Sequence, residues 1–555
     1  MKQRYDDINP EDIFLDSANL PGFKDHAFEG RIERPIGEKT FLFWKAIILV
    51  LVLLLVSRLG FLQIGKGNAY AKISEENRLV HSLIFANRGT ILDRNGVELA
   101  ANNIKTEENV FASRSYAPIS GLSHLIGYIK YPKADKNGIF YEETYSARDG
   151  VEKSYDDVLA GRNGVKLVET DVRGLVTSES VVEKPKDGES LTLSIDSGIN
   201  EELYKGIEAL SKSSGFVGGA GVIINVVTGE VLALTSYPQY DQNKITEGLT
   251  QDEFNALVND PAKLFLNRAV GGLYTPGSII KPILALGALR EHIITPEKEI
   301  LSTGSISVPN PYDASKPSTF KDWKAHGYTA MREALAVSSD TYFYSIGGGY
   351  GSQKGLGIGL IDRYLNLFGI TELSGIKLSG EVEGVIPTPE WKARHFEGDI
   401  WRLGDTYITA IGQYGTQITP LSAARFAAAV ANKGKLIHPT LLLGEEGKID
   451  KVIEADPSEW QVVHEGMRES VTYGTSAGLN VPYVEVAAKT GTAEVGAGKK
   501  YVHSWSVGFF PYKNPTYAWA VVMEKGPVTN TVGATSVMRR LFDWMYWNRQ
   551  VYMVE

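Results

Sequence analysis

The sequence predicts an α+β protein with an N-terminal transmembrane helix, a mostly β pedestal domain and a larger domain in which helices pack on one antiparallel sheet. Three observations predict it. An uninterrupted apolar run, Ala46 to Val56, lies inside a longer apolar stretch near the N-terminus. Short β-prone runs broken by turns follow, up to about residue 186. Beyond that point, strand-like runs at both ends bracket a helical middle, the pattern of one antiparallel sheet with helices packed against it. A chain of 555 residues is also too long for a single core, so at least two domains are expected.

Residues 1–40 are polar, rich in Asp, Glu, Pro and Gly, and without a clear period, which predicts a flexible tail. Residues 41–64 are mostly apolar and long enough to cross a bilayer of about 30 Å. Lys45 and Arg58 interrupt the run and can snorkel to the two interfaces. A cleaved signal peptide is disfavoured, because some forty residues precede the segment and no small-residue cleavage site is evident. Arg31, Arg34 and Lys39 on the N-terminal flank outweigh Lys66 and Lys72 beyond it. That excess predicts a single-pass anchor with its N-terminus in the cytoplasm and the rest outside.

Residues 65–186 carry turn signals at Asp93-Arg94-Asn95-Gly96 and Asn137-Gly138, and no catalytic constellation. Glu152, Arg173 and Asp93 read there as ion-pair or turn residues. Pro185-Lys186-Asp187-Gly188 reads as a linker into a second domain over 187–555. In that domain Ile199 to Leu210, Ser278 to His292 and Leu421 to Asn432 predict helices. Ala220 to Val226 and Glu230 to Leu234 flank Thr228-Gly229 as a hairpin, and Tyr483 to Glu494, Val502 to Phe510 and Tyr517 to Glu524 predict three more strands.

Composition removes several function classes. Charged residues are 22% and hydrophobic residues 43%, which is ordinary for folded protein. The net charge of −9, without a Lys/Arg-rich stripe, argues against a nucleic-acid partner. With no cysteine, disulfides, thiolate catalysis and thiolate metal sites are excluded.

The chemistry lies in Tyr274-Thr275-Pro276-Gly277-Ser278-Ile279-Ile280-Lys281-Pro282. A serine and a lysine three apart share one helix face. Pro276-Gly277 marks a turn, so Ser278 is expected at the start of a helix, where free N–H groups stabilise charge developing near its oxygen. Lys281, when neutral, can take the hydroxyl proton. The bland alternative for Ser278 is a helix N-cap, which explains neither Lys281 nor the motifs downstream. Ser338-Ser339-Asp340 precedes the aromatic run Tyr342-Phe343-Tyr344, and its first hydroxyl is fit to relay a proton. Asp340 can hydrogen-bond a substrate amide or hold a lysine. Lys489-Thr490-Gly491-Thr492 falls in a predicted strand, where Lys489 and the hydroxyls of Thr490 and Thr492 can bind a carboxylate. Gly491 is expected to let a substrate backbone come close.

These three motifs, in this order, resemble those of penicillin-binding proteins and serine β-lactamases. Asn267-Arg268-Ala269 and Ala410-Ile411-Gly412-Gln413 are similar to further segments of the penicillin-binding transpeptidase domain. Upstream, Asn87-Arg88-Gly89-Thr90-Ile91-Leu92-Asp93-Arg94-Asn95-Gly96, Gly150-Val151-Glu152-Lys153 and Asp171-Val172-Arg173-Gly174 resemble motifs of the class B, monofunctional members. Asp340 departs from the commoner Ser-x-Asn motif. With Phe320-Lys321-Asp322-Trp323-Lys324-Ala325-His326-Gly327, it resembles elongation-type members.

The resemblance implies peptidoglycan D,D-transpeptidation outside the cytoplasmic membrane, through an acyl-enzyme on Ser278. Lys281, Ser338 and Lys489 would be catalytic, and Asp340, Thr490, Gly491 and Thr492 would bind substrate. The N–H groups of Ser278 and Thr492 would form the oxyanion hole. It implies stem peptides as substrates, β-lactams as acylating mimics, no cofactor and no metal. Its expected partners are a SEDS-type glycan polymerase and other elongation-complex membrane proteins. Alternatives are a division-type transpeptidase, a β-lactam sensor or hydrolase of the same fold, and a non-enzymatic scaffold.

Two further patterns carry less. Gly355-Leu356-Gly357-Ile358-Gly359 lacks dinucleotide-fingerprint spacing and reads as a loop approaching a helix. Asp322 and His326 stand four apart, as metal ligands can, but no third ligand is evident and a structural role is favoured.

Overall fold

The computed structural model describes residues 37–103, 110–136, 139–170, 176–310, 313 and 315–554. The N-terminal tail over 1–36, the Asn137-Gly138 turn and the Asp171–Gly174 motif with Arg173 lie outside the described residues. The chain divides into two compact units, one within 1–80 and 167–179 and the other over 81–166 and 180–555.

The first unit contains α1, Glu38–Gly60, which continues as one π-helical turn over Phe61–Gly65. No side chain of α1 is buried, and the mean hydropathy over Glu38–Gly65 reaches 2.6. Among the described residues this is the one helix long and apolar enough to cross a membrane.

In the second unit, β1 (Ile91–Leu92), β2 (Glu98–Asn102) and β3 (Arg114–Tyr116) form a small sheet. The helix α2 (Gly150–Ser154) brings Glu152 beneath it. Glu152 is fully buried and accepts from Arg88 Nε at 2.5 Å and Arg114 Nε at 2.8 Å, so the motif residues around it form an ion-pair core. Asp93 turns the chain by accepting from the N–H groups of Asn95 and Val97.

The strand β4 (Leu191–Thr192) joins this sheet parallel to β1. The predicted linker before it is not loose. Asp187 accepts from Asn87 N at 2.7 Å and Asn87 Nδ2 at 3.0 Å, and Gly188 N donates to Asn87 O. Gly89 belongs to the same clamp, since a Cβ there would stand 2.0 Å from Glu189 O. Pro185–Gly188 carries turn residues because it is a tight, paired crossing, not because it swings.

The large domain is three layers. Its sheet runs β6-β5-β9-β8-β7, built from β5 (Gly218–Asn225), β6 (Val231–Tyr237), β7 (Ala487–Val495), β8 (Tyr501–Phe510) and β9 (Tyr517–Pro527). All neighbours are antiparallel, and β7 is an edge strand. Alternate residues of β9 serve two cores: Ala518, Ala520 and Val522 face one, Trp519, Val521 and Met523 the other. Burial on both faces explains why these strands read as continuous apolar runs.

One face is covered by α3 (Ser197–Ser214), capped by Asp196, and the C-terminal helix Ala534–Asn548. The other is covered by α7 (Pro420–Ala431) and α8 (Pro457–Thr472), against which α4 (Lys281–Arg290), α5 (Met331–Ala336) and α6 (Asp340–Gly348) complete the core, with α4 buried from Lys281 to Leu289. The predicted strand from Tyr483 begins only at Ala487. Tyr483 is drawn away to stack on Tyr546 and hydrogen-bond Asp543, while Val481 and Val484 close a turn. Gly357 opens the helix Gly357–Leu367, as the loop reading of the glycine run implied.

Candidate active site

Gly277–Ile280 forms one 3-10 turn that runs directly into α4, so Ser278 sits one turn ahead of the α-helix proper. Pro282 falls in the first turn of α4, where a missing N–H costs nothing. Gly277 has φ +58 and donates its N–H to Gly412 O at 2.9 Å. A Cβ on Gly412 would stand 2.1 Å from Gly277 O, so the two backbones touch where no side chain fits. Trp505 Nε1 donates to Thr275 O at 2.9 Å and ties the same turn to β8. Ser278 is half-buried, and its hydroxyl has no hydrogen-bond partner among the described residues.

Lys281 lies beneath Ser278 and is wholly buried. Its Nζ donates to Asp340 Oδ1 at 2.6 Å and Ser338 O at 2.9 Å, and stands 3.3 Å from Ser338 Oγ. Both Ser338 contacts depend on a backbone with φ +59, a left-handed conformation that a serine adopts only when its surroundings fix it. Those surroundings are Ser339 and Asp322. Ser339 caps α6 by accepting from Tyr342 N. Asp322 Oδ2 accepts from Ser339 Oγ at 3.0 Å and Thr341 N at 2.9 Å. Burial alone would raise the Asp322 carboxyl. The backbone N–H groups of Thr341 and Asp340 and the charge on Lys281 outweigh it and hold the group below its usual range.

The third motif lies on edge strand β7. Lys489 is wholly buried, with Nζ donating to Thr490 O at 3.1 Å. Burial, and then the charge on Lys281, push its ammonium well below the ordinary range, while Asp340 opposes that shift. Thr490 Oγ1 donates to Thr475 Oγ1 at 2.7 Å. Gly491 also answers a packing need. A Cβ there would stand 2.5 Å from Pro276 O and 2.9 Å from Ile279 Cγ2. It lets β7 press against the turn that carries Ser278.

Ser278, Ser338, Asp340, Thr490, Gly491 and Thr492 line one cleft of about 1070 Å³, with Lys281 and Lys489 buried behind its wall. Asp340 resolves the two roles open to it in sequence, since its carboxylate holds Lys281. Thr475 and Glu494, to which the sequence assigned no role, also line the cleft, as does Gln413 of the Ala410–Gln413 segment. Thr475 and Gln413 belong to loops whose spacing from the motifs carries no period. Asp322 orders the Ser338 turn through Ser339 and Thr341. His326 Nε2 lies 3.5 Å from Asp322 Oδ1, and no third His, Cys, Asp or Glu completes a cation site among the described residues.

The chain matches known proteins over most of its length. Residues 219–543 match the family described as the penicillin-binding protein transpeptidase domain, and residues 104–193 match the penicillin-binding protein dimerisation domain. The peptidoglycan D,D-transpeptidase MrdA of Acinetobacter baumannii is 29% identical, over 93% of this chain and 88% of its own. The structure of PBP2 from Pseudomonas aeruginosa in complex with WCK 5153 is 28% identical and superposes with a TM-score of 0.69, covering 86% of this chain and 98% of that one. A structure described as a peptidoglycan synthase complex that coordinates polymerization and crosslinking is 26% identical with a TM-score of 0.69, over 93% and 99% of the two chains.

Proposed function

The chain belongs to the penicillin-binding protein transpeptidase family, and we propose that Ser278, Lys281, Ser338 and Lys489 carry its reaction. It is an elongation-type, class B peptidoglycan D,D-transpeptidase that works with partner proteins of the elongation machinery. The observation that supports the residue roles best is the position of Lys281 Nζ, shared between Asp340 and Ser338 directly behind Ser278.

In this reading the terminal carboxylate of a donor stem peptide binds at Lys489 and the Thr490 and Thr492 hydroxyls. Ser278 Oγ attacks the penultimate D-Ala carbonyl, whose oxyanion meets the N–H groups of Ser278 and Thr492. Lys281 in its neutral form takes the hydroxyl proton, and Ser338 Oγ relays it to the departing amine of the terminal D-Ala. An amine of a neighbouring stem peptide then attacks the acyl-serine and restores Ser278. β-Lactams acylate the same serine.

Residues 65–186 serve as the pedestal and 187–555 as the catalytic domain. The helix Glu38–Gly65 anchors them at the cytoplasmic membrane, with the N-terminus inside and the catalytic domain outside, as the flanking charges favour. A SEDS-type polymerase supplies the glycan strands, a reading supported by the likeness to a peptidoglycan synthase complex that coordinates polymerization and crosslinking.

The test is intact-protein mass spectrometry with benzylpenicillin. We expect a long-lived adduct of the drug's full mass on the wild-type protein and none on Ser278→Ala. Rapid drug hydrolysis without an adduct, or an adduct that persists in the variant, overturns the assignment.

A further inference from the structure

Behind the turn that carries Ser278, a β-bulge gathers four polar side chains, His503, Glu524, Arg268 and Tyr274, that take no part in the chemistry above. Val502 pairs with Gly526 and Ser504 with Met523, so His503 on β8 faces both Glu524 and Lys525 on β9. Lys525 has φ +48, a left-handed conformation that a lysine adopts only where its surroundings fix it, and it gives its N–H to His503 Nδ1 at 3.2 Å. None of the four side chains lines the cleft. Arg268, Tyr274 and His503 are buried, and Glu524 is only 14% exposed.

Glu524 Oε2 accepts from Arg268 Nε at 2.7 Å and from the Tyr274 hydroxyl at 3.4 Å. The Arg268 guanidinium also donates to the carbonyls of Ala262 and Lys263. It lies against β5 where Gly218 leaves room, since a Cβ there would stand 2.7 Å from Nε. Burial, and then the charge on Glu524, hold the Tyr274 phenol well above its ordinary range, so its hydroxyl stays a donor.

Tyr274 is the fixed end of the nucleophile turn. Its N–H and its carbonyl both pair with Ile418 at 3.0 Å. Its ring stands edge-to-face with His503 at 5.2 Å and Trp505 at 6.2 Å, and Trp505 Nε1 holds the next carbonyl, Thr275 O. A buried ion pair adds little net stability over apolar side chains of similar volume, so packing alone gives no reason for a carboxylate here. What Glu524 supplies is an acceptor fixed by Arg268, which holds the Tyr274 ring at its hydroxyl while His503 and Trp505 hold its sides.

We propose that Glu524 is a positioning residue for Ser278 that acts through the Tyr274 hydroxyl. The Arg268–Glu524 pair sets the pitch of the Tyr274 ring, and the ring sets where the Thr275–Gly277 turn presents the nucleophile. This inference rests on the reading of Ser278 as the nucleophile.

The test compares Glu524→Gln, Tyr274→Phe and the double variant in the full-length protein in detergent. Rapid-quench intact-mass measurements over a range of benzylpenicillin concentrations separate the acylation rate constant from the dissociation constant of the non-covalent complex. Each single variant should lower the rate constant about tenfold and leave the dissociation constant within about twofold, and the double variant should be no slower than the slower single. Tyr274→Phe removes one oxygen only, and it tests the same link if Glu524→Gln does not fold. A wild-type rate constant in Tyr274→Phe overturns the inference, as do losses that multiply in the double variant, because Glu524 then does not act through that hydroxyl. A weakening of the non-covalent complex as large as the loss of rate also overturns it, since a loosened domain produces that result. In each of these cases a Ser278 adduct on the wild-type protein upholds the transpeptidase reading, whereas absence of any adduct overturns both.

Discussion

Lys281 Nζ and Asp340 Oδ1 stand 2.6 Å apart, with the lysine side chain wholly buried and the aspartate 18% exposed. Removing one member of such a pair strands a buried charge, at a cost of about 3–5 kcal/mol. Asp340→Ala should therefore lower thermal stability and slow acylation by benzylpenicillin by at least about a hundredfold, because Nζ loses the contact that positions it. Asp340→Asn keeps an oxygen for Nζ and should fall between the wild type and Ala in both measurements. Wild-type acylation in the Ala variant would show that Ser338 alone positions the lysine.

Gly412 controls the turn that carries Ser278. A Cβ at this position would stand 2.1 Å from Gly277 O, and its φ of +75 disfavours any other residue. Gly412→Ala should push the Gly277–Ser278 backbone outward while the core of α4 stays packed. We expect a loss of acylation of about a hundredfold or more, with a stability cost of only about 1–3 kcal/mol. A stopped-flow acylation assay beside a thermal melt separates the two effects.

Burial lowers the pKa of three histidines, His124, His464 and His503, and makes the fold acid-sensitive. His124 Nε2 donates to Leu264 O at 2.7 Å, and His503 Nδ1 accepts from Lys525 N at 3.2 Å. Burial pulls both down to about 4 from an ordinary value of 6.5. Each folded histidine resists the proton that its unfolded form takes up, so the stabilisation is full above pH 6.5 and drains as pH falls toward 4. One such group contributes a loss of about 2 kcal/mol between pH 7 and pH 5. Denaturant melts across that range should steepen accordingly, and His124→Gln, which keeps a donor for Leu264 O, should flatten the slope. An unchanged slope in that variant would mean His124 titrates freely in the folded protein.

The sequence made the elements legible where one physical pattern dominated. α4 and α7 are mostly apolar because they lie inside the large domain, with Lys281 and Arg425 as their buried charges, and the sheet strands read as apolar runs because both faces are covered. Ser278 and Lys281 could be paired from their spacing alone, since one helical turn joins them. The Lys281–Asp340 contact spans 59 residues, and no local spacing encodes it. Gly491 was visible as a glycine in a strand, but its purpose depends on Pro276, which arrives from another element. The turn residues of Pro185–Gly188 mark a change of direction, but the clamp on them comes from Asn87, 100 residues away, which no local spacing encodes.

Asp322 gives the sharpest separation between a structural and a metal-binding role. Its side chain is fully buried and accepts from Trp323 N at 2.8 Å, Thr341 N at 2.9 Å and Ser339 Oγ at 3.0 Å. Asparagine preserves the shape but replaces one accepting oxygen with a donating amide, so one of these donors is left facing another. That mismatch costs about 1–3 kcal/mol locally, at the turn that holds Ser338 at φ +59 beside Lys281. Asp322→Asn should thus slow benzylpenicillin acylation by roughly ten- to a hundredfold. Because its carboxyl is held below the usual range, its contribution is present at neutral pH and is lost as pH falls through the folded value, so the variant should also lose part of the wild type's sensitivity below pH 4. A chelator should leave wild-type acylation untouched, since the oxygens of Asp322 already serve four protein donors, Ser302 Oγ among them. Loss of acylation on chelation, restored by added metal, would instead assign Asp322 and His326 to a cation.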